Sequence, residues 1–210
     1  VEIDVQLSSD GYPVVIHDER VDRTSNGKGW VKDMTFCELR SLDFGSWFSP
    51  EFEGQQIPTL EEVLHLLSGW EGILNIEIKS GPVFYPGIEG IVLEQVRKHQ
   101  VSECIIISSF NHYSLVDVKR MDPGIKTGVL YMSGLYEPWE YAKKLGASAI
   151  HPSFYNIVPE ILKGCRENGI EINTFTVDQP EHIKKMVVDG VDGIITNVPD
   201  VALRVLESIG

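Results

Sequence analysis

A repeat constrains this chain more than any other feature. From residue 104 onward, β-rich runs begin near 104 (CIIISSF), 126 (KTGVLYM), 147 (ASAIHPS), 170 (IEINTFTV) and 191 (VDGIITN), at intervals of 21 to 23 residues. Between them lie amphipathic segments such as PWEYAKKLG, VPEILKGCRENG and PEHIKKMVVDG, several opening with Pro in the first turn and closing on Gly, as helix ends prefer. Strand–helix units in series build a parallel sheet with helical crossovers. Upstream, GILNIEIK (72–79) with a helical stretch near 88–99, and VEIDVQL (1–7) with TLEEVLHLL (59–67), bring the count to seven.

A closed (β/α)8 barrel needs eight units and typically about 250 residues. This chain has 210 and opens on Val1 within a strand-like run. The expectation is an α/β protein of the TIM-type (β/α)8 barrel class: a single domain over 1–210, N-terminally incomplete by one strand–helix unit, with a small insertion at about 18–58. An open doubly wound sheet competes, but it usually carries a G-x-G-x-x-G loop after its first strand, and the sequence has none. The insertion, with RTSNGKGW and FGSWFSPEFEG, is too aromatic for a disordered tether.

Charge narrows the partners. Eighteen Lys and Arg face 31 Asp and Glu, for a net charge of -13, a field that repels polyanions and speaks against nucleic acid. A small phosphate-bearing substrate stays open, because a bound divalent cation or a buried Lys reverses the potential locally. No stretch approaches the roughly 18 to 20 apolar residues of a transmembrane helix. Cys37, Cys104 and Cys165 are odd in number and form no C-x-x-C, which points to a reducing, cytoplasmic setting; with no initiator Met, a leader sequence remains open. Oligomeric state is not legible.

In VEIDVQL, Val1, Ile3, Val5 and Leu7 are apolar while Glu2, Asp4 and Gln6 are polar, so the two sets take opposite faces. GILNIEIK repeats this, with Asn75, Glu77 and Lys79 on the polar side. Helices cover the outside of a barrel, so the polar set points inward, which is costly for carboxylates without a cation or donors. Glu2, Asp4 and Glu77 either ligate a hard divalent ion or form a structural acidic cluster neutralised by Lys79 and other donors. Spacing leaves both open.

Asp10-Gly11 suits a two-residue hairpin turn, and that turn would set His17 across from Asp4, on the face of the carboxylates. There it is either a general acid or base or a hydrogen-bonded hairpin histidine. His151 ends a strand-like run, where barrels collect site residues, and is a candidate substrate contact, as is Phe110. No G-x-S-x-G elbow is present and no cysteine has an evident base, so a covalent nucleophile finds no support.

The run EIDVQLSSDGYPVVIHDERVDRTSNGKG, then GSWFSPEF, IPTLEEVL, NIEIK and DGIITNVPD, resembles the glycerophosphodiester phosphodiesterases in order and spacing. The resemblance implies a TIM-type barrel that hydrolyses a small glycerophosphodiester to glycerol 3-phosphate and an alcohol, assisted by one divalent cation, Ca²⁺ or Mg²⁺. It implies Glu2, Asp4 and Glu77 as metal carboxylates, His17 as one of two catalytic histidines, Lys79 as a phosphate contact and Phe175 as an aromatic wall. The chain departs from the family at several points. The His-Arg-Gly and Pro-Glu-Asn-Thr motifs do not precede Val1, Phe175 stands where Trp is usual, and Asp178 and Asn197 replace what are commonly Asn and Asp. Two other outcomes remain open: a noncatalytic barrel that binds a ligand or acts as a scaffold, and a barrel phospholipase that forms a cyclic phosphate. The alcohol is not legible.

Overall fold

The structure, a computed structural model, describes residues 1–209. These form two compact units that divide after Ile125.

The first unit contains β1 (Glu2–Leu7), β2 (Pro13–Val15), α1 (Phe36–Arg40), α2 (Leu60–Leu66), β3 (Leu74–Ile78), α3 (Ile88–Lys98), β4 (Ile105–Ser109) and α4 (His112–Met121). Its strands lie in the order β2-β1-β3-β4, with β2 antiparallel to β1 and the other pairs parallel. Val5, Leu7, Ile76, Ile78 and Ile107 pack with Leu60 and Leu64 of α2 and Val92 and Leu93 of α3. This apolar side of the alternation, once withdrawn from water, supplies the main driving force for the layer. Thr59 and Thr35 start α2 and α1 with reciprocal hydrogen bonds to Glu62 and Glu38, and such caps stabilise a helix by about 1 kcal/mol each.

The insertion is ordered and packs on the hairpin: its Val21, Val31, Leu39 and Ile57 are buried together with Val14 and Ile16, against Met34, Phe36, Leu42 and Phe44.

The hairpin register differs from the expected one. The connection is a three-residue loop of Ser9, Asp10 and Gly11, closed by Ser8 N donating to Tyr12 O at 3.0 Å. The Ser8 hydroxyl donates to Asp10 at 2.7 Å and accepts from Tyr12 N at 2.9 Å, and Gly11 takes the left-handed conformation (φ 85°) that closes such loops. The extra residue shifts the pairing to Val5 with Val15, and Ile16 N donates to Asp4 O at 3.0 Å. Ile16, not His17, therefore lies across from Asp4.

The second unit contains β5 (Lys126–Tyr131), α5 (Pro138–Leu145), β6 (Ala149–Pro152), α6 (Pro159–Glu167), β7 (Glu171–Thr174), α7 (Pro180–Asp189), β8 (Gly193–Ile194) and α8 (Pro199–Ile209). Its strands lie in the order β5-β6-β7-β8, paired in parallel. Each of α5, α6 and α7 has Pro in its first turn, and Gly146 and Gly190 end α5 and α7 in the left-handed region. Seven strands are each followed by a helix, as the repeat predicts, and β2 is the returning arm of a hairpin. Among the described residues no helix is long and apolar enough to cross a membrane.

Candidate active site

The parallel pairing of β1 with β3 sets Glu2 beside Asn75 and Asp4 beside Glu77. Glu2, Asp4 and Glu77 each offer an oxygen within 4.8 Å of the others. Lys79 Nζ lies 3.0 Å from Glu77 and 3.4 Å from Asp4, and all three side chains are mostly buried. One ammonium against three carboxylates leaves an excess of negative charge in a low-dielectric place. The titration behaviour reflects this excess. Burial, reinforced by Asp4 and Glu77, pushes the Glu2 carboxyl up to about 8. Burial also raises Glu77, while Lys79 opposes that rise and Asp4 adds to it. Burial works against the charge on Lys79, yet Glu77 and Asp4 hold its pKa above the ordinary lysine value. Asn75 Oδ1 is buried with no hydrogen-bond partner among the described residues, and Asp4 Oδ1 has only the 3.4 Å contact with Lys79. An all-oxygen set with unsatisfied acceptors and surplus negative charge fits a hard divalent cation.

His17 follows Ile16, whose N donates to Asp4 O, so it leaves the hairpin just past the strand that carries Asp4. Its ring is 66% exposed, with Nδ1 at 2.8 Å from Asp18. What holds it there is Gln6, which the sequence reading left without a role. Gln6 is 0% exposed; its amide nitrogen lies 3.1, 3.1 and 2.7 Å from the carbonyl oxygens of Ile16, His17 and Asp18, and its oxygen accepts from Tyr85 OH at 2.8 Å. Gln6 is the third polar member of the β1 alternation, and that position was its only signal. A cleft of about 230 Å³ beside the cluster is lined by Gln6, Glu77, Lys79, Tyr85, Glu19 and Phe110, so Phe110 shares a surface with the charged residues.

His151 fares differently. On β6 of the second unit it is 1% exposed, its Nε2 3.1 Å from the Asn173 amide, and its ring fills the place a side chain would take at Gly128. Burial lowers its pKa to about 4. The neutral ring is thus packed between the strands, with Nδ1 buried and without a hydrogen-bond partner among the described residues. Phe175 follows β7 half-buried, its main chain bonded to Pro152 and Phe154. Asp178 accepts hydrogen bonds from Asn197 N and Nδ2, both at 2.9 Å, and from Thr196 at 3.0 Å. Asp178 and Asn197 thus form one hydrogen-bonded pair.

The glycerophosphoryl diester phosphodiesterase family model matches residues 1–201. The chain belongs to that family. A glycerophosphodiester phosphodiesterase of Caldanaerobacter subterraneus subsp. tengcongensis is 49% identical over 210 residues, covering 100% of this chain and 86% of the relative; one of Bacillus altitudinis is 39% identical over 212 residues, covering 100% and 86%. Among solved structures, a phosphodiesterase of Oleispira antarctica in complex with the product sn-glycerol-3-phosphate is 28% identical with a TM-score of 0.90, over 99% of this chain and 84% of the other. The (β/α)8-barrel class expected from the repeat is the fold class of this glycerophosphoryl diester phosphodiesterase family member.

Proposed function

We propose that the protein hydrolyses glycerophosphodiesters to glycerol 3-phosphate and an alcohol, with one Ca²⁺ or Mg²⁺ held by Glu2, Asp4 and Glu77. The observation that carries the reading is the convergence of those three carboxylates within 4.8 Å, beside Lys79 and a cleft, in a chain of this family. When bound, the cation supplies charge that polarises a phosphoryl oxygen and helps hold the diester. Lys79, kept protonated by its acidic neighbours, adds a positive charge for the phosphate, and Phe110 walls the cleft. His17 moves the proton. Asp18 is a carboxylate and so accepts from Nδ1–H, which leaves Nε2 to take a proton from the attacking water or to give one to the departing alkoxide.

Phosphorus NMR of glycerophosphocholine turnover tests the reading. Glycerol 3-phosphate should appear with Mg²⁺ or Ca²⁺ and cease to form in chelator. A cyclic glycerophosphate, or undiminished turnover in chelator, would overturn it.

A further inference from the structure

Beyond His17 runs a connected set of side chains that reaches into the insertion. Asp18 Oδ1 meets His17 Nδ1 at 2.8 Å. On its other side Asp18 is gripped by Arg23, whose Nε donates to Oδ2 at 2.6 Å and whose NH2 donates to Oδ1 at 3.0 Å. The Arg23 guanidinium lies over the Trp47 ring, 5.8 Å from its centroid. Trp47 is tied to the insertion by Nε1 donating to Phe44 O at 2.9 Å, and Phe44 packs on the insertion core. From these contacts we infer that Arg23 is a positioning residue for His17, acting through Asp18, and that the insertion serves the reaction by holding this pair in place. The inference rests on the general acid/base reading of His17.

The physical case is one of orientation. An imidazole that is largely exposed has two tautomers and a free χ2, and only a fixed acceptor at Nδ1 keeps Nε2 as the reactive nitrogen. An Asp adjacent in sequence could rotate away, but two-point contact with a planar guanidinium pins both of its oxygens. The same contact keeps Asp18 ionised: Arg23, foremost among the causes, holds its carboxyl down at about 2. Gln6 fixes the main chain of residues 16–18 and the Arg23–Asp18 pair fixes the ring. Because Arg23 is 57% exposed, the ion pair contributes little to stability, and its geometry accounts for it better than any structural need.

The test uses Arg23→Met, Arg23→Lys and Asp18→Asn in the full chain, alone and combined with His17→Ala. Arg23→Met should lower kcat about 10-fold, less than loss of the acid/base group itself, with KM held within about twofold. Arg23→Lys should recover part of the rate, and nitrogen-15 NMR of the histidine ring should show His17 passing from the Nδ1-protonated tautomer to a mixture in Arg23→Met and Asp18→Asn. In the His17→Ala background Arg23→Met should cost nothing further. Any of four results would overturn the proposal: a raised KM at constant kcat, which would make Arg23 a phosphate contact; an equal loss with and without His17; an unchanged tautomer; or a folded fraction that falls in step with the rate. If His17→Ala alone keeps full turnover, the acid/base reading fails, and the tautomer spectrum still decides what Arg23 does to the ring.

Discussion

The strand layer at β1 and β3 and the one at β6 and β7 solve the same problem in opposite ways. Both face polar side chains into the protein from parallel strands of a βα repeat. At β1 and β3 the residues are Glu2, Asp4, Glu77 and Lys79, and burial, reinforced by Asp4 and Glu77, lifts Glu2 to about 8. At β6 and β7 they are His151 and Asn173, and burial makes the histidine neutral, with a pKa near 4. A buried group that can shed its charge becomes part of the packing; Glu2 does so by keeping a proton, but three clustered carboxyl groups still gather acidic oxygens of the kind that suit a cation.

The sharpest way to break this contrast is to remove the histidine at the charged side. His17→Ala should reduce turnover by about 10² to 10⁴, the usual range for a general acid or base, with an unchanged circular dichroism spectrum. Normal rates would return His17 to an ordinary surface hydrogen bond.

Glu77→Gln comes next. It removes one anionic ligand and leaves Lys79 opposite an amide, so cation affinity measured by calorimetry should fall by at least about 10², above the roughly 10- to 100-fold cost of altering an outer-shell partner. Affinity within error of the wild type would show that the cluster is structural.

The neutral side is probed at Gly128, where an added Cβ would lie 2.3 Å from His151 Nε2. Because the ring is buried and bonded to Asn173, Gly128→Ala should destabilise the protein by about 1 to 3 kcal/mol in denaturant unfolding. A variant as stable as the wild type would mean that His151 has room to swing and is less fixed than the contrast requires.

The finest test, resting on one proton, is the pH dependence at Glu2. With its folded pKa raised from 4.5 to about 8, Glu2 carries a proton at pH 7 in the metal-free protein, and a cation must displace it. Affinity should therefore rise with pH, by up to about tenfold per unit, and level off above pH 8. In the metal-free protein the sign for stability is the reverse. Between pH 4.5 and 8 the folded state keeps the Glu2 proton and the unfolded chain has lost it, so stability falls as pH rises across that window. Urea titrations at pH 5 and pH 8, with and without Mg²⁺, check both signs; stability flat across the window would mean that Glu2 is not buried among its neighbours.

Much of this was open to reading in the residues. Alternation in VEIDVQL and NIEIK assigned Glu2, Asp4, Glu77 and Lys79 to one face, because side-chain direction in a strand has period two, and the structure groups them. His17 was placed by a hairpin register one residue off, since Asp10-Gly11 also fits a longer loop, and the Ser8 side chain that favours the longer one acts through local hydrogen bonds that no period reports. The path of the chain at His17 is fixed by Gln6, whose bonds to residues 16, 17 and 18 depend on how the chain leaves β2. His151 shows the converse case. Its place at a strand end was legible, but its burial depends on Gly128 and Asn173, on the strands to either side.

By itself, the sequence determined the order of strands and helices, the faces of β1 and β3, the insertion and the family, because each follows from periodicity or from residues close together in the chain. The loop register, the contacts that Gln6, Asp18 and Arg23 make around His17, and the burial of His151 arise only from the folded chain. Those outcomes turn on contacts between residues up to 79 apart, such as Tyr85 with Gln6, and on distances of a few tenths of an ångström, which a one-dimensional pattern does not carry.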